Sequence, residues 1–84
     1  MQGIKVELTV VPAFRKAVET KTGVYHLFNR LLDGLGAGAP EVVQGQDKVE
    51  FEMWQQTEND LRHYLATDPA FAGQVISMTT TPCP

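Results

Sequence analysis

The side chains best suited to proton transfer near neutral pH are the two histidines, His26 and His63. An imidazole in a pocket could act as a general acid or base. His63 lies two positions after Leu61 in a predicted helix, and the helical repeat turns its side chain about 200° from the apolar stripe. We therefore expect His63 to be exposed or flanking, with a pocket-lining His63, the candidate catalytic residue, as the alternative. His26 is expected on an exposed face.

The aromatic residues could bind a flat ligand. Trp54 ends a predicted strand, where its indole could cover a pocket for an aromatic ligand, although packing in the core or against a second copy is the favoured interpretation. Other apolar side chains could line a pocket between helices and sheet, and at their spacing the simpler interpretation is an ordinary core. The candidate ligand-binding residues are Trp54, Tyr25, Phe28, Phe51 and Met53.

Other reactive side chains are few. Cys83 is the only cysteine, so it cannot form an internal disulfide, and it has no metal-ligating neighbour in the sequence. Lys21-Thr22-Gly23 matches a triplet of penicillin-binding proteins, but the serine nucleophile motif of those enzymes is missing because Ser77 is the only serine. The sequence contains no phosphate loop, dinucleotide fingerprint or metal-ligand spacing. It predicts neither a cofactor nor a metal.

Length and charge limit the function classes. The 84 residues form one predicted domain, 1–84, and so short a chain exposes much of its surface. Its seven basic residues are scattered and its formal net charge is −3, so we expect no nucleic-acid binding and no attraction to an anionic membrane. No apolar run approaches the roughly 18 residues of a membrane span, and the N-terminus lacks a signal-peptide pattern. We expect a cytoplasmic protein that self-associates.

The elements that position these residues follow from hydrophobic periodicity. Apolar residues at three- and four-residue spacing predict a long helix over 12–33, which opens at Pro12. Helix propensity is lowest at 20–23, where two threonines and a glycine make either a kink or a break in the helix possible. A second helix is predicted from 57 to 68, with the Thr57 hydroxyl as its N-cap. Alternation or β-branched composition predicts strands at 3–11, 41–44, 48–54 and 74–80, the last ended by Pro82.

This order, β-α-β-β-α-β, predicts an α+β fold of the ferredoxin-like type, a four-stranded antiparallel sheet with two helices on one face. The other face would carry charged side chains from the first and third strands in neighbouring positions, where opposite charges can pair. Burying such charges is costly unless they are paired. A dimer therefore either uses other surfaces or joins these charges in a network across the interface.

The run VEFEMW, the acid-rich helix that carries Leu61 and His63, and the turn YLATDPAF together resemble the antibiotic-biosynthesis monooxygenase-like proteins, a branch of the dimeric α+β barrels. The resemblance implies a homodimer. It marks Trp54 and His63 alone by matching position. In the haem-degrading branch an asparagine of the first strand works with these two residues, and this first strand contains none, so the sequence departs from haem chemistry.

Two functions remain open. The first is a small ligand-binding or protein-interaction module on a dimeric scaffold, which pairs through its sheet or its edge strands. This is preferred because no catalytic constellation is complete. The alternative is a cofactor-independent monooxygenase or isomerase that acts on a flat hydrophobic substrate, quinol-like or polyketide-like. His63 would then transfer the proton and Trp54 would form an aromatic wall.

Overall fold

A computed structural model describes residues 2–83, which form four β-strands and three α-helices. A short 3-10 turn, Gln55–Thr57, joins the third strand to the third helix. The elements in chain order are β1 (Gly3–Val10), α1 (Pro12–Thr20), α2 (Val24–Gly34), β2 (Glu41–Val42), β3 (Lys48–Trp54), α3 (Glu58–Thr67) and β4 (Val75–Pro82).

The four strands form one antiparallel sheet in the order β2-β3-β1-β4. The two central strands are therefore β1 and β3, in a register that pairs Val6 with Phe51 and Glu7 with Glu50. The predicted α+β class and the four-stranded antiparallel sheet are confirmed. The strand predicted at 48–54 is observed with those bounds.

One face of the sheet is buried. Because side chains alternate along a strand, each central strand contributes every second residue to this face. Phe28 of α2 is fully buried on it, and its ring meets those of Phe14, Phe51 and Phe71 edge-to-face at centroid distances of 5.2, 5.9 and 5.7 Å. Buried residues from all three helices join the same cluster. The sheet residues of this cluster are Ile4, Val6, Leu8, Val10, Val49, Phe51 and Met53.

The long helix predicted over 12–33 is two helices, so the fold has three helices where two were expected. The helix is interrupted at the predicted weak segment. Lys21 has a left-handed backbone conformation, with φ 55° and ψ 48°, and Gly23 has φ 57° and ψ −123°. A side chain at Gly23 would be strained in this conformation, which glycine adopts readily. The break lets α1 and α2 change direction while both keep their apolar faces on the sheet.

Two predicted strand ends and one predicted hydrogen bond are also corrected. Thr57 is at the N-cap position, but its hydroxyl donates hydrogen bonds to the carbonyls of Leu35 (3.2 Å) and Trp54 (3.1 Å) instead of accepting one from the helix. The short second strand ends at Val42. The last strand continues through Pro82, because an edge strand tolerates a residue without an N–H group. No helix within residues 2–83 is long and apolar enough to cross a membrane.

Candidate functional site

The region between helices and sheet is a packed core at the positions of the candidate residues. Tyr25, Phe28, Phe51 and Met53 are all buried there, and Phe28 contacts Phe51 directly. Tyr25 and Phe28 line none of the three main surface depressions, whereas Phe51 borders one of them and Met53 another. The arrangement matches the simpler of the two sequence interpretations, an ordinary core.

His63 projects from α3 into solvent. Its ring lies beside that of Tyr64, at a centroid distance of 5.9 Å, and its backbone carbonyl accepts a hydrogen bond from the Thr67 hydroxyl. It lines none of the three main depressions. The helical spacing that favoured an exposed His63 is consistent with this position, and Trp54 lies in a depression that His63 does not border.

Trp54 lies at the end of β3 on the sheet face opposite the core, with 41% of its surface exposed. It borders a solvent-open depression of about 550 Å³, within the size range of small-molecule sites. The depression lies where the first residues of β1, the last residues of β3 and the end of β4 meet the loop that follows α2. Its lining residues are Gln2, Gly3, Gly36, Gly38, Glu52, Met53, Trp54 and Cys83.

Glycines leave space around the indole. Gly3 is paired with Trp54 across the sheet, and a Cβ atom added to Gly3 would lie 3.9 Å from the indole and 3.7 Å from Cys83 Cβ. A Cβ atom added to Gly36 would lie 3.6 Å from Trp54, and the positive φ of Gly36, 74°, disfavours any other residue. Three of the eight lining residues, Gly3, Gly36 and Gly38, are thus glycines, whose backbone a planar group can approach closely.

Backbone hydrogen bonds fix this lining. The Gln55 amide donates to the Gln2 carbonyl at 2.8 Å, which extends the pairing of β1 and β3 beyond Trp54. The Cys83 amide donates to the Gly3 carbonyl at 2.9 Å, and the Gly38 amide donates to the Glu52 carbonyl at 2.8 Å. Trp54 is therefore held by neighbours on both sides and does not depend on a free loop.

The charges on this face are mostly paired along diagonals. Glu7 and Glu50 face each other directly, and each is instead bonded to a lysine: Lys48 to Glu7 at 3.1 Å and Lys5 to Glu50 at 3.2 Å. Glu52 faces Lys5 in the register, but within residues 2–83 it forms no ion pair, because Lys5 is bonded to Glu50. The rim of the depression consequently carries one exposed carboxylate next to the indole.

Sequence reasoning identified Trp54 but not its surroundings. Gly36 and Gly38 were not among the candidate residues, and Cys83 was expected to have neither a disulfide nor a metal partner. The alternation of glycines in GLGAGAP is a signal for close backbone approach as well as for a loop. The part of the chain that the structure describes contains no group of three or more His, Cys, Asp or Glu that could hold a metal ion.

No protein-family model matches the chain, and neither the curated proteins nor the solved structures include a significant match.

Proposed function

We propose that this protein is a binding module with a ferredoxin-like fold, and that its site is the depression beside Trp54. The observation that carries the proposal is an exposed tryptophan beside three glycines, in a depression of about 550 Å³, on a sheet whose other face is filled by core residues. The strand order β2-β3-β1-β4 supports the ferredoxin-like arrangement. We also propose that the chain is related to the antibiotic-biosynthesis monooxygenase-like proteins, which its sequence resembles.

The chemistry of the rim indicates the class of ligand. An indole beside glycine backbone favours a planar aromatic group, which can stack on the ring at little steric cost. The carboxylate of Glu52, which has no ion-pair partner within residues 2–83, favours a hydrogen-bond donor or a positive charge on the edge of that group, and a cation beside an indole gains further attraction. The ligand is therefore a flat aromatic molecule that carries amine or phenolic hydroxyl groups.

Binding is proposed without catalysis. The alternative, a cofactor-independent monooxygenase or isomerase, needs a proton-transfer group at the ligand, and the exposed His63 does not border the depression. A cytoplasmic location stays a prediction from the sequence.

Titration with aminoacridine, a planar aromatic cation, tests the site. Trp54 is the only tryptophan, so quenching of the intrinsic tryptophan fluorescence reports on this depression alone. We expect saturable quenching, and we expect anthracene carboxylate, a planar anion, to bind more weakly because Glu52 repels it. Calorimetry of Trp54→Leu should give affinity for aminoacridine about tenfold lower, equivalent to ~1.4 kcal/mol.

Tyr64→Leu is the matched control, because Tyr64 is an aromatic residue of similar exposure, 43%, outside the depression. Its affinity for aminoacridine should equal that of the unmodified protein. Glu52→Gln should remove the preference for the cation, and Asp60→Asn, an exposed acid on α3, should keep it. The proposal is rejected if aminoacridine does not bind, or if the Tyr64 and Trp54 variants lose affinity equally.

A further inference from the structure

The two edges of the sheet differ in length and protection. The β2 edge has only two residues, Glu41–Val42, one of them charged, and beyond it Gly38 bonds to β3. The β4 edge has eight residues, Val75–Pro82, with the sequence VISMTTTP and no charge. Natural sheets protect their edges with short strands, charges, prolines and bulges. The β2 edge is therefore protected by its shortness and by its charge, whereas β4 is protected only at its two ends.

Between a bulge at one end and a proline at the other, β4 contains a regular segment, 77–81. A bulge interrupts the pairing with β1 between Thr9 and Val10, so that Ile76 has no partner on β1 and is 68% exposed. At the other end Pro82 lacks an N–H group. The segment between them is centred on Thr79, which lies opposite Glu7 on the open sheet face.

The hydrogen-bond pattern identifies the outward groups of this segment. The register begins with Ile4 opposite Pro82, and its continuation by one position places Gly3 opposite Cys83. The Cys83 amide donates to the Gly3 carbonyl, so Gly3 and Cys83 are a hydrogen-bonded pair. Because such pairs alternate along antiparallel strands, Thr79 and Thr81 direct their backbone groups toward β1, while Met78 and Thr80 direct theirs away from it. Within residues 2–83 no hydrogen bond from another element reaches this outward side.

We propose that β4 pairs with β4 of a second copy of this chain, antiparallel and centred on Thr79. A two-fold axis at Thr79 places Met78 opposite Thr80 of the second copy, and the two residues exchange both backbone hydrogen bonds. The open-face neighbours across the junction are then hydroxyl side chains. The proposal goes beyond the ligand site at Trp54, because it assigns the surface through which the protein self-associates.

Two observations favour a second copy of this chain as the partner, and favour the β4 edge as the surface that it contacts. The open sheet face carries four acids (Glu7, Glu41, Glu50, Glu52) against two lysines (Lys5, Lys48), so two such faces would oppose each other with like net charge. The β4 edge has no charge, so identical copies meet there without repulsion. Since the other edge is protected, pairing ends at two copies and does not continue as a filament.

Amide hydrogen exchange tests the pairing with a control inside the same strand. The Thr79 and Thr81 amides bond to β1 and should be protected at every protein concentration. The Met78 and Thr80 amides should be unprotected in the monomer and become at least tenfold slower to exchange as the dimer forms. If Met78 and Thr80 exchange rapidly at a concentration where light scattering shows a dimer, the proposed surface is wrong.

Light scattering of variants gives a second test. The unmodified chain should have twice the monomer mass of 9.3 kDa. Thr79→Lys should raise the dissociation constant of the dimer at least tenfold, because two lysines meet at the axis. Each introduced lysine also lies opposite Glu7 of its own chain, so the fold is retained, as circular dichroism should verify.

Glu41→Lys, which adds a lysine to the same face at the opposite edge and facing Glu50, should leave the dimer intact. A monomeric unmodified chain, a Thr79→Lys variant that remains dimeric, or equal dissociation of both variants would each overturn the proposal. None of these results changes the expected binding at Trp54, which calorimetry measures separately.

Discussion

The two faces of the sheet take alternate residues from the same strands, yet they meet different surroundings. On the covered face Val6 and Phe51 lie under three helices at 0% and 5% exposure, in a cluster with no buried polar side chain among the described residues. On the open face, Glu7 and Glu50, the next residue pair along, have 36% and 33% of their side-chain surface exposed. A shift of one residue in register would exchange these environments.

The covered face supplies stability, whereas the open face carries the proposed binding site. Burial of apolar side chains supplies most of the free energy of folding, so the covered face tolerates little change. Exposed ion pairs contribute little, so residues of the open face can serve binding without loss of the fold. Trp54 in the depression and the outer edge of β4 both lie outside the buried cluster, where folding constrains the sequence least.

The largest expected effect separates the faces by stability. Phe28→Ala removes the ring that contacts three other phenylalanines, and we expect it to lower the free energy of unfolding by about 3–5 kcal/mol. Trp54→Ala, a deletion of a larger side chain on the open face, should cost only about 1 kcal/mol. Urea unfolding followed by circular dichroism measures both. Equal losses would mean that Trp54 belongs to the folding core and would remove the distinction.

A smaller effect concerns the rim of the depression. Gly36→Ala introduces a side chain at φ 74° and 3.6 Å from Trp54, and it should destabilise the fold by about 1–2 kcal/mol. The matched variant Gly34→Ala lies at the end of α2 with open space around it, so it should stabilise by about 0.5–1 kcal/mol. Thermal unfolding of the two variants should therefore shift in opposite directions. A shift in the same direction would contradict the assigned geometry of Gly36.

The smallest effect is expected from the charges of the open face. A double-mutant cycle with Lys5→Met and Glu50→Gln should give a coupling energy below about 1 kcal/mol, because this ion pair is partly exposed. The coupling should disappear in 1 M salt, where screening acts within about 3 Å. A coupling of several kcal/mol that persists in salt would show that the open face contributes to folding as the covered face does.

The sequence predicted the elements where local physics decides. The alternation of Lys48–Trp54 specifies a half-buried strand, and the strand occupies those residues. The helix break was left open because threonine and glycine only lower helix propensity, and tertiary packing selects between a kink and a turn. Thr57 was placed at the correct position with the wrong hydrogen bond, and one of its two acceptors, the Leu35 carbonyl, lies 22 residues away in the chain.

The candidate site was harder to predict because it combines distant segments. The site brings together Gly3, Gly36, Trp54 and Cys83 only after the sheet forms, and no spacing in the sequence predicts that they are neighbours. Tyr25, Phe28, Phe51 and Met53 share the periodicity of a core and of a pocket wall, so the pattern alone left both interpretations open. All four side chains are buried in the core, and Met53 also borders the depression beside Trp54, on which the ligand proposal is centred.

Amide chemical-shift mapping with aminoacridine is the most direct test of the central claim that recognition belongs to the open face. In isotope-labelled protein, we predict that saturating aminoacridine shifts the amides of Gly3, Gly36 and Glu52 most strongly, while those of Phe28 and Leu65 stay in place. Strong shifts at Phe28 and Leu65, with Gly3 and Gly36 unmoved, would place the ligand between helices and sheet and contradict the account.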